Sequence, residues 1–190
     1  MRQVIVSQFV TVDGVMEDPG GSEGFERGGW AFQFDRGPEG NDFKLDELRE
    51  SEALLLGRVT YEGFAEAWPS RTGEFAEKFN SMPKFVVSKT LDEPEWSNST
   101  VLTGDVAEEV SRLKEQPGGP ILVNGSRQLV QTLQEHDLVD EYRLMVFPVV
   151  LGGGKRLFED AEGTTALRLV DATPVGPDGV VILTYRPAGA

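Results

Sequence analysis

The chain has no cysteine and a single histidine, His136. Without thiols there is no disulfide framework, no thiolate zinc site and no cysteine nucleophile, and one imidazole excludes a multi-histidine metal centre. Positive charge is also scarce: 18 Lys and Arg stand against 32 Asp and Glu, a formal net charge of −14. Such a charge repels nucleic acid and anionic membranes, so neither is expected as a partner. No long hydrophobic run occurs. Residues Arg2 to Gln8 alternate polar and apolar side chains, so neither a signal peptide nor a membrane span is predicted and a cytoplasmic protein is expected. His136 falls at a predicted helix end and reads as a surface residue. What remains is 190 residues with an ordinary apolar share. That is enough for one sizeable core, and a single domain over 1–190 is expected.

Against so acidic a background, cations grouped at predicted loops carry information, and five stand out: Arg58, Lys89, Arg127, Lys155 and Arg156. The first lies in the stretch around which the chain is organised. Leu54, Leu55 and Leu56 read as a strand covered on both faces, Gly57 as its end, and Tyr61, Phe64, Ala65 and Trp68 as the apolar face of a helix stopped by Pro69. A glycine turn at a helix N-terminus is a ready anion site, and Arg58 and Thr60 stand at the same corner. The plainer reading is a tight turn beside a solvated charge. Ile121 to Arg127 repeats the pattern, with apolar strand, Gly125, hydroxyl, arginine and helix in that order. Ser126 is a natural N-cap there. A third candidate is Ser88-Lys89-Thr90, the end of a strand predicted over Lys84 to Thr90. A cation between two hydroxyls suits a phosphomonoester, or is a plain strand end.

The other elements follow in order. Gln3 to Val10 reads as a first strand that delivers Asp13 into a loop. Glu17 to Asn41 is rich in glycine and carries Trp30, Phe32 and Phe34, which suits a lid or binding loop over a planar substrate, or rings that cap a sheet edge or a subunit contact. Helices are predicted over Asp42 to Glu50, Gly73 to Ser81 and Val106 to Glu115, and a short strand over Thr100 to Leu102. From Leu138 the style changes to long strands, Tyr142 to Val150, Ala166 to Ala172 and Val180 to Arg186. The last two are joined as an antiparallel hairpin at Pro177-Asp178-Gly179. Alternating βα units followed by antiparallel strands give a mixed sheet in a three-layer αβα domain with helices on both faces.

Three anion-site candidates suit a dinucleotide with an extra phosphate, whose charges are spread along its length. The GxGxxG fingerprint of an ordinary Rossmann domain is absent. The stretches Ser7 to Val15, Leu56 to Tyr61, Val86 to Leu91, Val123 to Ser126 and Pro148 to Gly154, in that order and spacing, resemble the dihydrofolate reductase-like superfamily. Within it the chain is similar to the reductase domain of the bifunctional riboflavin-biosynthesis deaminase/reductase. The resemblance implies NADPH bound across the sheet, with Gly57, Arg58 and Thr60 at one phosphate site, Ser88 and Lys89 near the 2′-phosphate, and Gly125, Ser126 and Arg127 near the pyrophosphate. Riboflavin-pathway members reduce a ribosylamino-pyrimidine and folate members reduce dihydrofolate. No acidic residue on the first helix clearly matches the folate enzymes' proton donor, and no fused deaminase domain is expected.

The expectation is therefore an NADPH-dependent reductase of a small heterocyclic or carbonyl substrate. A non-catalytic nucleotide-binding or interaction protein on the same fold is the alternative. Asp13 is the first candidate for supplying a proton, its other reading being a turn residue before Gly14, and Glu17 and Asp18 stand behind it. Lys155 and Arg156 either receive an anionic substrate group or sit at a solvated bend. The resemblance, together with the apolar Leu144 to Leu151 segment, favours a homodimer.

Overall fold

A computed structural model describes residues 1–158 and 164–189. Its elements are β1 (Val4–Thr11), a 3-10 turn (Trp30–Gln33), α1 (Gly37–Glu50), β2 (Ala53–Gly57), α2 (Arg58–Ala67), α3 (Glu74–Ser81), β3 (Lys84–Val87), β4 (Ser99–Leu102), α4 (Val106–Glu115), β5 (Ile121–Asn124), α5 (Arg127–Glu135), β6 (Glu141–Phe147), β7 (Leu167–Val175) and β8 (Val180–Pro187). The strand order is β4-β3-β2-β5-β1-β6-β8-β7, a mixed eight-stranded sheet. The expected α/β class and the antiparallel C-terminal strands are both present. The chain falls into two compact units, Met1–Val6 with Lys44–Val139 and Ser7–Phe43 with Asp140–Ala190.

The first unit holds the parallel strands, with β2 flanked by β3 and β5 and β4 beyond β3. Side chains alternate across a strand, so Leu54 and Leu56 face one way and Leu55 the other. The first pair joins Ile5, Leu122, Val86, Tyr61 and Phe79 in one core cluster. Leu55, Ile121 and Val123 are equally buried, and α4 and α5, which touch each other, bury Val110, Leu113, Leu129, Val130 and Leu133. Lys84 opens β3 with no exposed surface. Its amine donates to the carbonyls of Asn80, Met82 and Ser97 at 3.0, 2.8 and 3.0 Å and lies 4.2 Å from the centre of the Trp96 ring. Three carbonyls match the three N–H bonds of an ammonium, while burial pushes its pKa down to about 8.

In the second unit β8 pairs with both β6 and β7, all antiparallel. Its core gathers Trp30, Met145, Phe147, Val175, Val180 and Ile182. The buried Glu141 accepts from Arg143 Nε at 2.7 Å and from Arg186 Nε and Nη2 at 2.9 and 2.8 Å. Burial alone would raise its pKa, but these two guanidiniums hold it below the ordinary glutamate value. The glycine-rich Glu17 to Asn41 stretch is organised by Asp18. Its buried carboxylate accepts the amides of Glu23 and Phe25 at 3.0 and 3.2 Å, and its carbonyl accepts those of Gly21 and Gly29.

Several boundaries differ from expectation: β3 stops at Val87 rather than Thr90 and β7 runs on to Val175 rather than Ala172, and two more have a local reason. Helix α1 begins at Gly37 rather than Asp42, because Pro38 in a first turn lacks only an N–H that has no helical partner anyway. Strand β6 stops at Phe147 rather than Val150, since Pro148 cannot donate to a ladder.

Candidate functional site

The predicted phosphate sites of the first unit share one edge. Strands β2, β3 and β5 are parallel, Gly57 lies opposite Val87, and Leu55 lies opposite Val123. Their C-terminal ends therefore bring Gly57, Ser88 and Gly125 to the same side, the edge at which α/β sheets receive ligands. Helix α2 starts directly after Gly57 and α5 directly after Ser126. Ser126 occupies the N-cap position, but the expected cap is not made. Its backbone is left-handed, with φ of 63°, and its hydroxyl accepts Gly57 N–H at 2.7 Å and donates to Thr60 Oγ1 at 2.9 Å. The reason is proximity. A Cβ on Gly57 would lie 2.7 Å from Ser126 Oγ, and one on Gly125 would lie 2.6 Å from Thr60 Oγ1. Thus neither α2 nor α5 is capped by its N-cap side chain, whereas Asp105 caps α4 through Glu108 N–H at 3.1 Å.

Arg58 is the first residue of α2 and pairs with Glu62 at 2.9 Å, both side chains half exposed. A pair so exposed contributes at most about 0.5 kcal/mol and exchanges readily for another anion. Arg127, half-buried, opens α5. The buried Ser88 hydroxyl accepts the amides of Thr90 and Leu91 at 3.1 and 3.0 Å, which turns the chain and leaves Lys89 and Thr90 exposed. Cations, hydroxyls and two helix N-termini without side-chain caps are a donor set that fits the phosphates of a dinucleotide.

The loop of the second unit that carries Asp13 has a different chemistry. Asp13 Oδ1 accepts the Thr11 hydroxyl at 2.6 Å and Leu151 N–H at 3.2 Å, and Oδ2 accepts Gly152 N–H at 2.9 Å. Desolvation would raise its pKa, but the bonds from Thr11, Gly152 and Leu151 hold it below the ordinary aspartate value. These bonds make Asp13 a clamp on the triple-glycine loop. Arg156 Nε returns to the Asp13 carbonyl at 2.9 Å. Glu17 accepts Lys155 through both its amide, at 2.9 Å, and its ammonium, at 2.7 Å, and the Lys155 bonds hold Glu17 below its usual pKa. Lys155 and Arg156 are therefore engaged with the loop's own acids and backbone.

The three aromatic rings separate. Trp30 is fully buried, edge-on to Phe147 at 5.4 Å, with its indole N–H on the Glu17 carbonyl at 2.8 Å. It is a core residue and presents no face to a substrate, which corrects its place among the lid residues. Phe34 packs partly buried against the same cluster, and Phe32 is 81% exposed. Among the described residues no group of His, Cys, Asp and Glu could hold a metal ion, and no helix is long and apolar enough to cross a membrane.

The strand order, the C-terminal antiparallel strands and these corners define a dihydrofolate reductase-like fold. The solved dihydrofolate reductase of Enterococcus faecalis, in complex with NADP(H), superposes with a TM-score of 0.62 over 98% of this chain and 96% of its own, at 15% identity. A candidate riboflavin-biosynthesis protein from Shewanella sp. PV-4 superposes with a TM-score of 0.73 over 97% and 98% of the two chains, at 22% identity. More particularly, residues 2–181 match the model of the RibD C-terminal domain, and the chain belongs to that reductase-like family. In sequence it is similar to the uncharacterized protein YyaP of Bacillus subtilis, 31% identical over 97% of this chain and 95% of that one.

Proposed function

We propose that this protein is an NADPH-dependent reductase that transfers a hydride to a small heterocyclic or carbonyl substrate, pyrimidines and pterins foremost. One observation carries the reading: the linked Gly57 and Ser126 corners, where two helix N-termini lack side-chain caps beside Arg58, Thr60 and Arg127. Gly57, Arg58 and Thr60 take one phosphate, and Gly125, Ser126 and Arg127 take the pyrophosphate. Ser88 and Lys89 take the 2′-phosphate, with Ser88 fixing the turn that presents the Lys89 ammonium. Bound NADPH supplies the hydride. The chain's own residues bind and orient: Asp13 holds the loop at Leu151 and Gly152, and the exposed Phe32 ring covers a planar substrate.

A homodimer accompanies this reading, favoured by the edge strand β7, which leaves Leu169 and Val170 about half exposed. Calorimetric titration with NADPH and NADH tests the cofactor. Tight NADPH binding with a clear preference is expected, and binding of neither overturns the proposal. Absorbance of bound NADPH during a screen of pterins, pyrimidines and carbonyls then tests turnover; binding without oxidation throughout favours the nucleotide-binding alternative.

A further inference from the structure

Lysine is almost never fully buried, so the complete burial of Lys84 calls for a reason. All three of its N–H bonds are spent on carbonyls, those of Asn80 and Met82 at the C-terminal end of α3 and that of Ser97 just before β4, and the Trp96 ring covers the amine. Only the ammonium form fills three acceptors and is drawn to an aromatic face. Loss of the proton relieves the cost of a buried charge but leaves two N–H bonds and a lone pair against three carbonyls. Among the described residues no charge contributes to this titration, and burial alone lowers the pKa to about 8. The charged side chains of the surrounding elements lie at the surface: Glu62 and Glu66 on α2, Glu74, Glu77 and the partly covered Lys78 on α3, and the acids between Asp92 and Glu95. Tyr61, the titratable group bonded to Trp96, accepts its backbone N–H at 2.9 Å.

What the ammonium holds is the far end of the segment that carries Lys89. That segment leaves β3 at Ser88 and rejoins the sheet at Ser99. At its start the Ser88 hydroxyl accepts the amides of Thr90 and Leu91. At its end Lys84 binds twice, its backbone N–H to the Asn98 carbonyl at 2.8 Å and its amine to the Ser97 carbonyl at 3.0 Å. Between the two ends Trp96 is buried, with its indole N–H on Asn80 Oδ1 at 2.7 Å, and Leu91 packs against the core cluster to which Trp96 belongs. Lys89 itself stays exposed. Its backbone is therefore placed by Ser88 and Leu91 on one side and by the Trp96 anchor on the other, and that anchor closes on Lys84.

We propose that Lys84 is a positioning residue for cofactor choice: its protonated amine latches the Trp96 and Ser97 end of the segment and so fixes where Lys89 presents its own ammonium. The inference rests on the reductase reading, in which Lys89 takes the 2′-phosphate, and adds a control on it. NADPH is preferred over NADH while the latch is charged, and the preference declines as Lys84 loses its proton. The window is distinct from that of the groups touching the phosphate. A phosphomonoester gives up its second proton near ~6 and an ordinary lysine titrates near ~10.4, whereas the latch titrates at about 8.

Two measurements on the whole chain test this without a known substrate. In the first, protein labelled with nitrogen-15 is followed by NMR from about pH 6.5 to about pH 9.5, a range that brackets the latch, and the Trp96 indole N–H signal is assigned through Trp96→Phe. In the second, NADPH and NADH affinities are measured by calorimetry at the two ends of that range. An indole shift with a midpoint of about 8 is expected, together with an NADPH-over-NADH ratio that falls about two- to tenfold, the scale of one lost hydrogen bond. In Lys84→Met the indole titration should vanish and the ratio should be low at both ends. The proposal is overturned by an indole signal that does not titrate in this window, by a ratio constant with pH in the parent, or by a pH dependence that persists in Lys84→Met, which would give it to an α-amino group or another residue. Where Lys84→Met does not fold, the two pH series of the parent decide alone. Binding of neither nucleotide beside an intact indole titration would sink the reductase reading and leave the latch standing.

Discussion

At the Gly57 corner the hydroxyls of Ser126 and Thr60 bond to one another and to a strand end, and two helix N-termini are left without a side-chain cap. At the Asp13 loop, by contrast, the acids Asp13, Asp18 and Glu17 are all turned onto backbone amides or onto Lys155 and Arg156. Both corners are built on glycine and carry cations close by in sequence. At the first, Arg58 pairs with a half-exposed glutamate one turn on; at the second, Lys155 and Arg156 are tied to the loop's own acids and backbone. Cation count therefore does not distinguish the two corners; what each cation is bonded to does.

The largest expected effect breaks the symmetry between two left-handed glycines. Gly125 and Gly14 have φ of 66° and 80°, but an added Cβ meets Thr60 at the first and nothing within 4 Å at the second. Gly125→Ala should cost about 2–4 kcal/mol, combining left-handed strain with overpacking, while Gly14→Ala carries the strain alone, about 1–2 kcal/mol. Denaturant midpoints at unchanged slope would show it. Equal losses would mean that the two corners are not wedged together as tightly as Gly125 requires.

Next in size are the cofactor contacts proposed for the first corner. Lys89→Ala and Arg58→Ala should each weaken NADPH by about 1.5–3 kcal/mol, the scale of a hydrogen bond to a charged group, or roughly ten- to a hundredfold. NADH should suffer less at Lys89, and equal losses for both cofactors would remove Lys89 from the 2′-phosphate role. Stability should hardly change in Arg58→Ala, since the half-exposed pair with Glu62 contributes no more than about 0.5 kcal/mol.

The two units should also answer pH in the same sense but in different windows. Asp13, Glu17 and Glu141 all have folded pKa values below their ordinary ones. Their stabilisation is complete above the unfolded values near ~4 and is lost as pH falls through the folded ones. In the first unit Glu74 is lowered too, by Arg49, but that pair is well exposed. The notable group there is Lys84, whose folded pKa of about 8 lies below the unfolded ~10.4. Between those two values the unfolded chain binds more protons, so stability should rise with pH. Amide protection measured residue by residue should fall first in β6 and β8 on acidification, and Asp13→Asn should blunt part of that loss. Uniform loss across both units would contradict the assignment.

Much of the fold was legible because periodicity and punctuation agree: the three leucines ending at Gly57, the helix that stops before Pro69 and the final hairpin all appear where pattern puts them. The left-out part is long-range. Trp30 lies in a stretch with the composition of an exposed loop, and its core neighbours Met145, Phe147, Val175, Val180 and Ile182, more than a hundred residues later, account for its burial. Asp13 reads as a turn residue or an acid until Leu151 and Gly152 arrive as donors. Lys84 gives no sign of burial, because its carbonyl partners are anonymous backbone.

The smallest expected effect is also the most informative about the Gly57 corner, because Ser126 combines two opposed contributions at one residue. Its left-handed backbone is costly for any residue with a Cβ, by about 1–2 kcal/mol. Its hydroxyl returns two hydrogen bonds, each worth about 1 kcal/mol. Ser126→Ala loses the bonds and keeps the strain, so a stability loss of about 1–2 kcal/mol is expected. Ser126→Gly loses the bonds and releases the strain, and should fall within about 1 kcal/mol of the parent. If the alanine variant proved as stable as the glycine variant, the backbone would not be held left-handed in solution. In that event Ser126 would be free to cap α5, and the N-terminus assigned to the pyrophosphate would already be occupied by the protein's own side chain.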